Sequence, residues 1–131
     1  MSVKEFLDKK NKIALVGVST NPEKWGYKLF KLLKSEGYRV FPVNPKYEKI
    51  EGEKCHPSLS SLPEKPDVVI TLVKPEVTEK IVEECSKLGI RRVWMQPGSE
   101  SEKAIDFCKE KGIEVVFNAC FVVNGLRGEW K

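Results

Sequence analysis

The sequence predicts an α/β fold: five parallel strands, covered by helices on both faces. Three observations carry this. Short apolar runs recur at residues 13–16, 39–43, 67–73, 91–95 and 113–117. Between most of them lie stretches whose apolar residues fall at helical spacing. Glycines punctuate the helical stretches at Gly37, Gly89 and Gly112, where a left-handed C-cap ends a helix. Strand, helix, strand in regular alternation with short connections gives a parallel sheet with helices on either side.

Taken in order, Ser2 can cap a short helix over Val3–Lys9, with Phe6 and Leu7 as its apolar contacts. Ile13-Ala14-Leu15-Val16 is apolar on both faces, as a strand inside a parallel sheet must be. Trp25, Leu29, Phe30, Leu32 and Leu33 mark a helix over Trp25–Glu36. Arg39–Val43 is the second strand, stopped by Asn44-Pro45. Residues 46–66 are irregular, with a turn at Glu51-Gly52 and a short helical turn at Ser58–Leu62.

Asp67–Val73 is the third strand. Pro75 then opens a helix whose buried face reads Val77, Ile81, Cys85 and Leu88. Arg91–Met95 is the fourth strand. Ser99 or Ser101 starts a helix with Ala104, Ile105 and Cys108 inward. Ile113–Phe117 is the fifth strand, followed by an irregular tail. Right-handed crossovers leave few topologies, and a Rossmann-like doubly wound sheet in the order 3-2-1-4-5 is expected, as one domain over residues 1–131.

Composition narrows the function. The chain has 131 residues, 40% hydrophobic and 32% charged, with a net charge of +4. Its basic residues are spread beside glutamates and not grouped with aromatics, which argues against a nucleic-acid partner. No apolar run approaches the ~18 residues of a membrane span, and the N-terminus lacks a signal-peptide core. A cytoplasmic location and reduced thiols are therefore expected. Cys55, Cys85, Cys108, Cys120 and the single histidine, His56, form no metal-ligand pattern. A homo-oligomer or a protein partner is left open, with Tyr38, Trp94 and Trp130 available to a self-contact or to the core.

Ligands of such sheets lie beyond the carboxyl ends of the strands, where strand order reverses. That rule nominates the loops at Val18–Lys24, Asn44–Tyr47, Lys74-Pro75 and Gln96–Ser99, with Asn118-Ala119-Cys120 as a fifth. In the first loop Gly17 allows a tight strand exit and Gly26 a close backbone approach. Amides between them, at a helix N-terminus, suit phosphate oxygens. Ser19 and Thr20 add hydroxyls, and Lys24 adds charge. The same loop also reads as a plain connection with two structural glycines. It is not the dinucleotide fingerprint, because Ser19 and Pro22 stand where that motif needs glycines. The second strand ends Val43-Asn44-Pro45-Lys46, with no carboxylate for ribose hydroxyls. Lys46 instead suits a phosphorylated ribose, if it is more than a solvated turn lysine. NADP is therefore harder to set aside than NAD.

At these residues the sequence resembles the CoA-binding domain family, the Rossmann module found alone in small proteins and at the N-terminus of the succinyl-CoA synthetase alpha subunit. The motifs are Val16-Gly17-Val18-Ser19 with Gly26, Val43-Asn44-Pro45-Lys46, Val73-Lys74-Pro75, Trp94-Met95-Gln96-Pro97-Gly98 and Asn118-Ala119-Cys120. The resemblance implies coenzyme A or an acyl-CoA as ligand. The backbone and hydroxyls of Ser19, Thr20 and Asn21 would hold the pyrophosphate, with Gly17, Val18, Lys24 and Gly26 also in the cofactor site. Asn44, Pro45 and Lys46 would flank the adenosine, Lys46 near the 3′-phosphate. Val73, Lys74 and Pro75 would line the adenine side, and Gln96 and Cys120 would face the pantetheine arm.

The synthetases also use a phosphorylated histidine in a second domain, which this sequence lacks. His56 matches no family motif and reads as a surface residue. With no recognisable catalytic set, a non-catalytic binding or sensing module is expected, with a subunit of an acyl-CoA synthetase or an NADP-binding protein as alternatives. Cys120 near the pantetheine end could form a mixed disulfide with the CoA thiol, or be a plain structural thiol.

Overall fold

Side chains alternate across a strand, and here the alternation sorts the core into two clusters, one on each face of the sheet. The computed structural model describes residues 3–128, so Ser2 and Trp130 lie outside the described residues. In chain order the elements are α1 (Val3–Leu7), β1 (Lys12–Val16), α2 (Trp25–Ser35), β2 (Arg39–Val43), the short strands β3 (Lys49–Ile50) and β4 (Glu53–Lys54), a one-turn 3-10 helix (Leu59–Ser61), β5 (Val68–Thr71), α3 (Pro75–Leu88), β6 (Arg92–Met95), α4 (Glu102–Glu110), β7 (Glu114–Val116) and a helical segment (Phe121–Leu126).

Ile13 and Leu15 of β1, Val68 and Ile70 of β5, and Trp94 of β6 pack with Phe6, Leu29, Phe30, Leu33 and Phe121. The residues between them, Ala14, Val16, Val69, Val93 and Met95, pack with Val82, Cys85, Ala104 and Cys108. Thus α1, α2 and the last helical segment cover one face, and α3 and α4 the other. Trp94 is fully buried, edge-on to Phe121 and Phe6, with its indole N–H donated to the Ala119 carbonyl at 2.8 Å. Tyr38 is also core, so neither ring is free for a self-contact.

All five strands of the main sheet are parallel, as the sequence predicts, but their order is β2-β1-β5-β6-β7. Counted within the sheet this is 2-1-3-4-5, not the expected 3-2-1-4-5: β5 inserts between β1 and β6. The cause is visible in β2. Its Pro42 turns its carbonyl away from β1, to the His56 amide at 2.9 Å, so the N–H that proline lacks would have faced the outer edge. An interior strand would need that N–H for its ladder; an edge strand does not. The chain then returns to β5 through the β3–β4 hairpin and the 3-10 helix, whose Leu59 packs in the α3–α4 cluster. The turn at Glu51-Gly52 forms as expected, both residues at positive φ, as a two-residue hairpin requires.

Two further expectations are corrected. The buried face of α3 is Thr78, Val82 and Cys85, while Val77 is 40% exposed. Thr78 can turn inward because its hydroxyl bonds back to the Lys74 carbonyl. The supposed irregular tail is a wide helical turn, with i to i+5 bonds from Gly125 N to Cys120 O and Arg127 N to Val122 O. Gly125 is needed there, since a Cβ would press on Leu7 Cδ2 at 3.0 Å and the Trp94 ring at 3.2 Å. The start of α4 resolves in favour of Ser101, whose hydroxyl accepts the Ala104 amide at 3.0 Å. No helix among the described residues is long and apolar enough to cross a membrane.

Candidate functional site

With this strand order the switch point lies between β1 and β5, where α2 leaves for one face and α3 for the other. The junction is close-packed. Gly17 sits at φ +107, and a Cβ built on it would overlap the Leu72 carbonyl oxygen, with the carbonyl carbon at 2.8 Å and Val73 Cγ1 at 3.0 Å. A Cβ on Gly26 would overlap the Gly17 carbonyl oxygen and come within 3.3 Å of Ser19 N. The two glycines therefore let the start of α2 rest on the end of β1, and β1 rest on β5. Both helices that start here do so without a side-chain cap, at Lys24 for α2 and Lys74 for α3, in contrast to the capped α4.

The first loop is ordered by its own polar groups. Asn21 N donates to Ser19 Oγ at 3.0 Å, Glu23 N to Asn21 Oδ1 at 3.0 Å, and Lys24 N to Asn21 O at 3.0 Å. Those amides are committed within the loop, so its anion-binding capacity rests on hydroxyls and lysines more than the sequence implies. Ser19 is buried, and Thr20, Asn21 and Lys24 are exposed.

The second loop is tied to the first. Asn44 Nδ2 donates to the Val18 carbonyl at 2.8 Å, and Asn44 Oδ1 accepts the Lys46 amide at 2.9 Å. Both ends of the Asn44 side chain are thus structural, holding Pro45 and Lys46, both exposed, beside the first loop. Tyr47, to which the sequence motifs give no role, reaches across the gap. Hydrogen bonding to Ser19 and then Thr20 lowers its phenol below the ordinary value, and the charges of Lys24 and Lys46 add to this. Groups of both loops thus act on the Tyr47 phenol. The only sequence signal was position, one residue past Asn44-Pro45-Lys46 in a nominated loop.

Gln96 and Cys120 form a second group, at the ends of β6 and β7. Gln96 is 1% exposed, its Oε1 accepting the Phe121 amide at 2.7 Å and its Nε2 donating to Cys120 Sγ at 3.4 Å. It lies behind Cys120 and fixes that residue in place. Cys120 is half-buried, whereas Cys55, Cys85 and Cys108 are buried. Burial pushes the Cys108 thiol up to about 12 and raises that of Cys85 as well, so neither is reactive. Strands lie ~4.8 Å apart, so β1 and β7, three places apart in the sheet, stand about 14 Å apart.

His56 is not a surface residue: it is 8% exposed, bridged to Val43 on the outer edge of β2, with its ring edge-on to Phe41. Burial, then the charge of Lys54, lowers its pKa. Two recesses of about 460 and 370 Å³ lie elsewhere, one beside α1 and Leu126, the other along the outer edge of β2, and the candidate residues line neither.

The chain has relatives among known proteins. The chain is 31% identical over 121 residues to the uncharacterized protein YneT of Bacillus subtilis, covering 92% of this chain and 90% of that one. It is 32% identical over 87 residues to an ADP-forming acetate–CoA ligase of Methanocaldococcus jannaschii, covering 66% of this chain but 12% of the ligase. A conserved hypothetical protein from Pyrococcus furiosus of known structure superposes with a TM-score of 0.83 at 43% identity, covering 86% of this chain and 97% of that one. Residues 11–125 match the CoA binding domain. The chain therefore belongs to the CoA binding domain family.

Proposed function

We propose that the protein binds coenzyme A or an acyl-CoA across the carboxyl ends of the strands, as a non-catalytic binding or sensing module in the cytoplasm. The observation that carries this is the tie between the first two loops at the switch position, Asn44 Nδ2 to the Val18 carbonyl at 2.8 Å, which brings the Lys46 loop up against the loop that bears Ser19, Thr20 and Lys24. Two hydroxyl donors and two ammonium groups suit the oxygens of a diphosphate and a ribose phosphate. Gly17, Val18, Asn21, Gly26, Asn44 and Pro45 shape that pocket through backbone and loop contacts, and Val73, Lys74 and Pro75 form its β5 wall. The ~14 Å from β1 to β7 leads the pantetheine arm toward Cys120. NADP is the weaker reading, since family membership favours coenzyme A.

Calorimetric titration with CoA and with dephospho-CoA tests the proposal. CoA should bind about tenfold more tightly, the order of one charge-assisted contact, and Lys46→Ala should abolish the difference. Equal affinity for the two ligands in the unmodified protein would remove Lys46 from the role. A second reading, a subunit of an acyl-CoA ligase, is favoured by the M. jannaschii relative. It requires acyl-CoA formation from acetate, CoA and ATP when a partner chain is supplied.

A further inference from the structure

The recess along the outer edge of β2 takes no part in the cleft, and the chain's single histidine stands in its wall. The path of the chain creates it. The Pro42 carbonyl accepts the His56 amide and the Asn44 amide donates to the His56 carbonyl, both at 2.9 Å. Two residues earlier, Val40 turns its own backbone groups to the same edge. There the covering chain has already left β2, because Glu53 and Lys54 pair with β3 instead. The gap between them is a recess of about 370 Å³, room for a small organic molecule.

The walls differ in character. Val40, Phe41 and Pro42 form an apolar side. His56 is buried, edge-on to Phe41, and its Nδ1 has no hydrogen-bond partner. Hydrogen bonding of that atom within the protein therefore does not explain the ring's placement. Three cations stand round the rim against the one carboxylate of Glu53. Lys34 is paired with Glu53, and Arg39, lying over the Phe41 ring, with Glu64. Lys54 has no carboxylate partner among the described residues. Alternation along an extended chain puts Lys54 on the same side as His56, about 7 Å away. Burial, and then the charge of Lys54, keep the imidazole neutral.

We infer that this recess is a binding site for a small organic acid, its carboxylate at Lys54 and His56 and its apolar body against Val40, Phe41 and Pro42. The carboxylate supplies the counter-charge that Lys54 lacks and favours the charged form of the imidazole beside it. An inorganic anion meets the same charges but leaves the apolar wall uncovered, so the site selects for the organic body.

Because the chain has one histidine, its ring C–H resonance reads the site directly by NMR. Benzoate is the probe and inorganic phosphate the control. Benzoate at about millimolar concentration should move the His56 resonance saturably. It should also move the His56 titration to higher pH, since its carboxylate offsets the charge of Lys54. Lys54→Met, at an exposed position, should weaken benzoate binding about tenfold, and the resonance of buried Trp94 reports that the variant is folded. A His56 resonance that benzoate leaves unmoved, or moves without saturation, overturns the site, as does equal binding by Lys54→Met. Saturation with an unmoved titration overturns the contact with His56. Phosphate binding as tight as that of benzoate refutes the organic-acid class, since the apolar wall then contributes nothing. CoA is assigned to the switch point, so none of these outcomes depends on whether CoA binds.

Discussion

Replacing Gly17 by alanine tests the junction on which the cleft is built. Two costs add there. At φ +107 an L side chain is strained, at about 1–2 kcal/mol. The new Cβ also overlaps the Leu72 carbonyl, which belongs to the backbone of the β5 exit and cannot rotate aside. Overpacking of this kind costs ~1–3 kcal/mol. Together they give a loss of about 2–5 kcal/mol, large against the ~7–20 kcal/mol expected of a 131-residue chain. With a urea slope of about 2 kcal/mol/M, the unfolding midpoint should fall by about 1–2.5 M. The assay is urea unfolding followed by the fluorescence of buried Trp94. Gly37→Ala is the control: Gly37 has φ +95, but nothing lies within 4 Å of its Cβ, so it carries only the conformational cost. Losses in the two variants that agree within ~0.5 kcal/mol would refute the close approach of β1 to β5.

Two other predictions follow from buried and half-buried groups. The folded state holds His56 with a lowered pKa, so between the folded and unfolded values the unfolded chain binds more protons. Stability from this group is complete above the unfolded value near 6.5 and is lost as pH falls through the lower folded value. Denaturation at about pH 7.5 and about pH 5 should show that loss, and His56→Asn should reduce it; an unchanged acid loss in the variant contradicts the buried placement. Cys120 is the cysteine open to exchange. Its thiolate attacking CoA disulfide releases one CoA thiol and leaves the other half bound as a mixed disulfide. Intact mass should show one CoA adduct in the unmodified chain and none in Cys120→Ser, and an adduct persisting in the variant rejects the assignment.

Much of this fold is legible in local patterns because local physics decides it. Gly37 and Gly89 end their helices at positive φ, and Pro75 opens α3 where its missing N–H costs nothing. Strand order is different, since pairing partners are fixed by long-range crossovers. Even so, Pro42 carries the information within the sequence, because a proline inside a strand of a parallel sheet marks that strand as an edge. The face of α3 was ambiguous because two overlapping apolar stripes share Cys85, and only the back-bond of Thr78 decides between them. The last helical segment was hidden by its Val122-Val123 and Asn124-Gly125 pairs, which locally favour strand and turn; burial of Phe121, Val122 and Leu126 against Trp94 and α1 overrides that preference. In the site, the rule for such sheets nominates the loops, but the commitments of Asn44 and Gln96 to structural bonds, and the reach of Tyr47 across the gap, depend on contacts between loops distant in sequence.

The most direct test of the account is the pattern of backbone amide shifts as CoA is added to the isotopically labelled protein. Binding at the switch point predicts the largest changes at residues 17–26, 44–47 and 73–75, with a smaller set around Gln96 and Cys120. Shifts concentrated instead at the recess beside α1 or along the outer edge of β2, or no shifts at millimolar CoA, would contradict it.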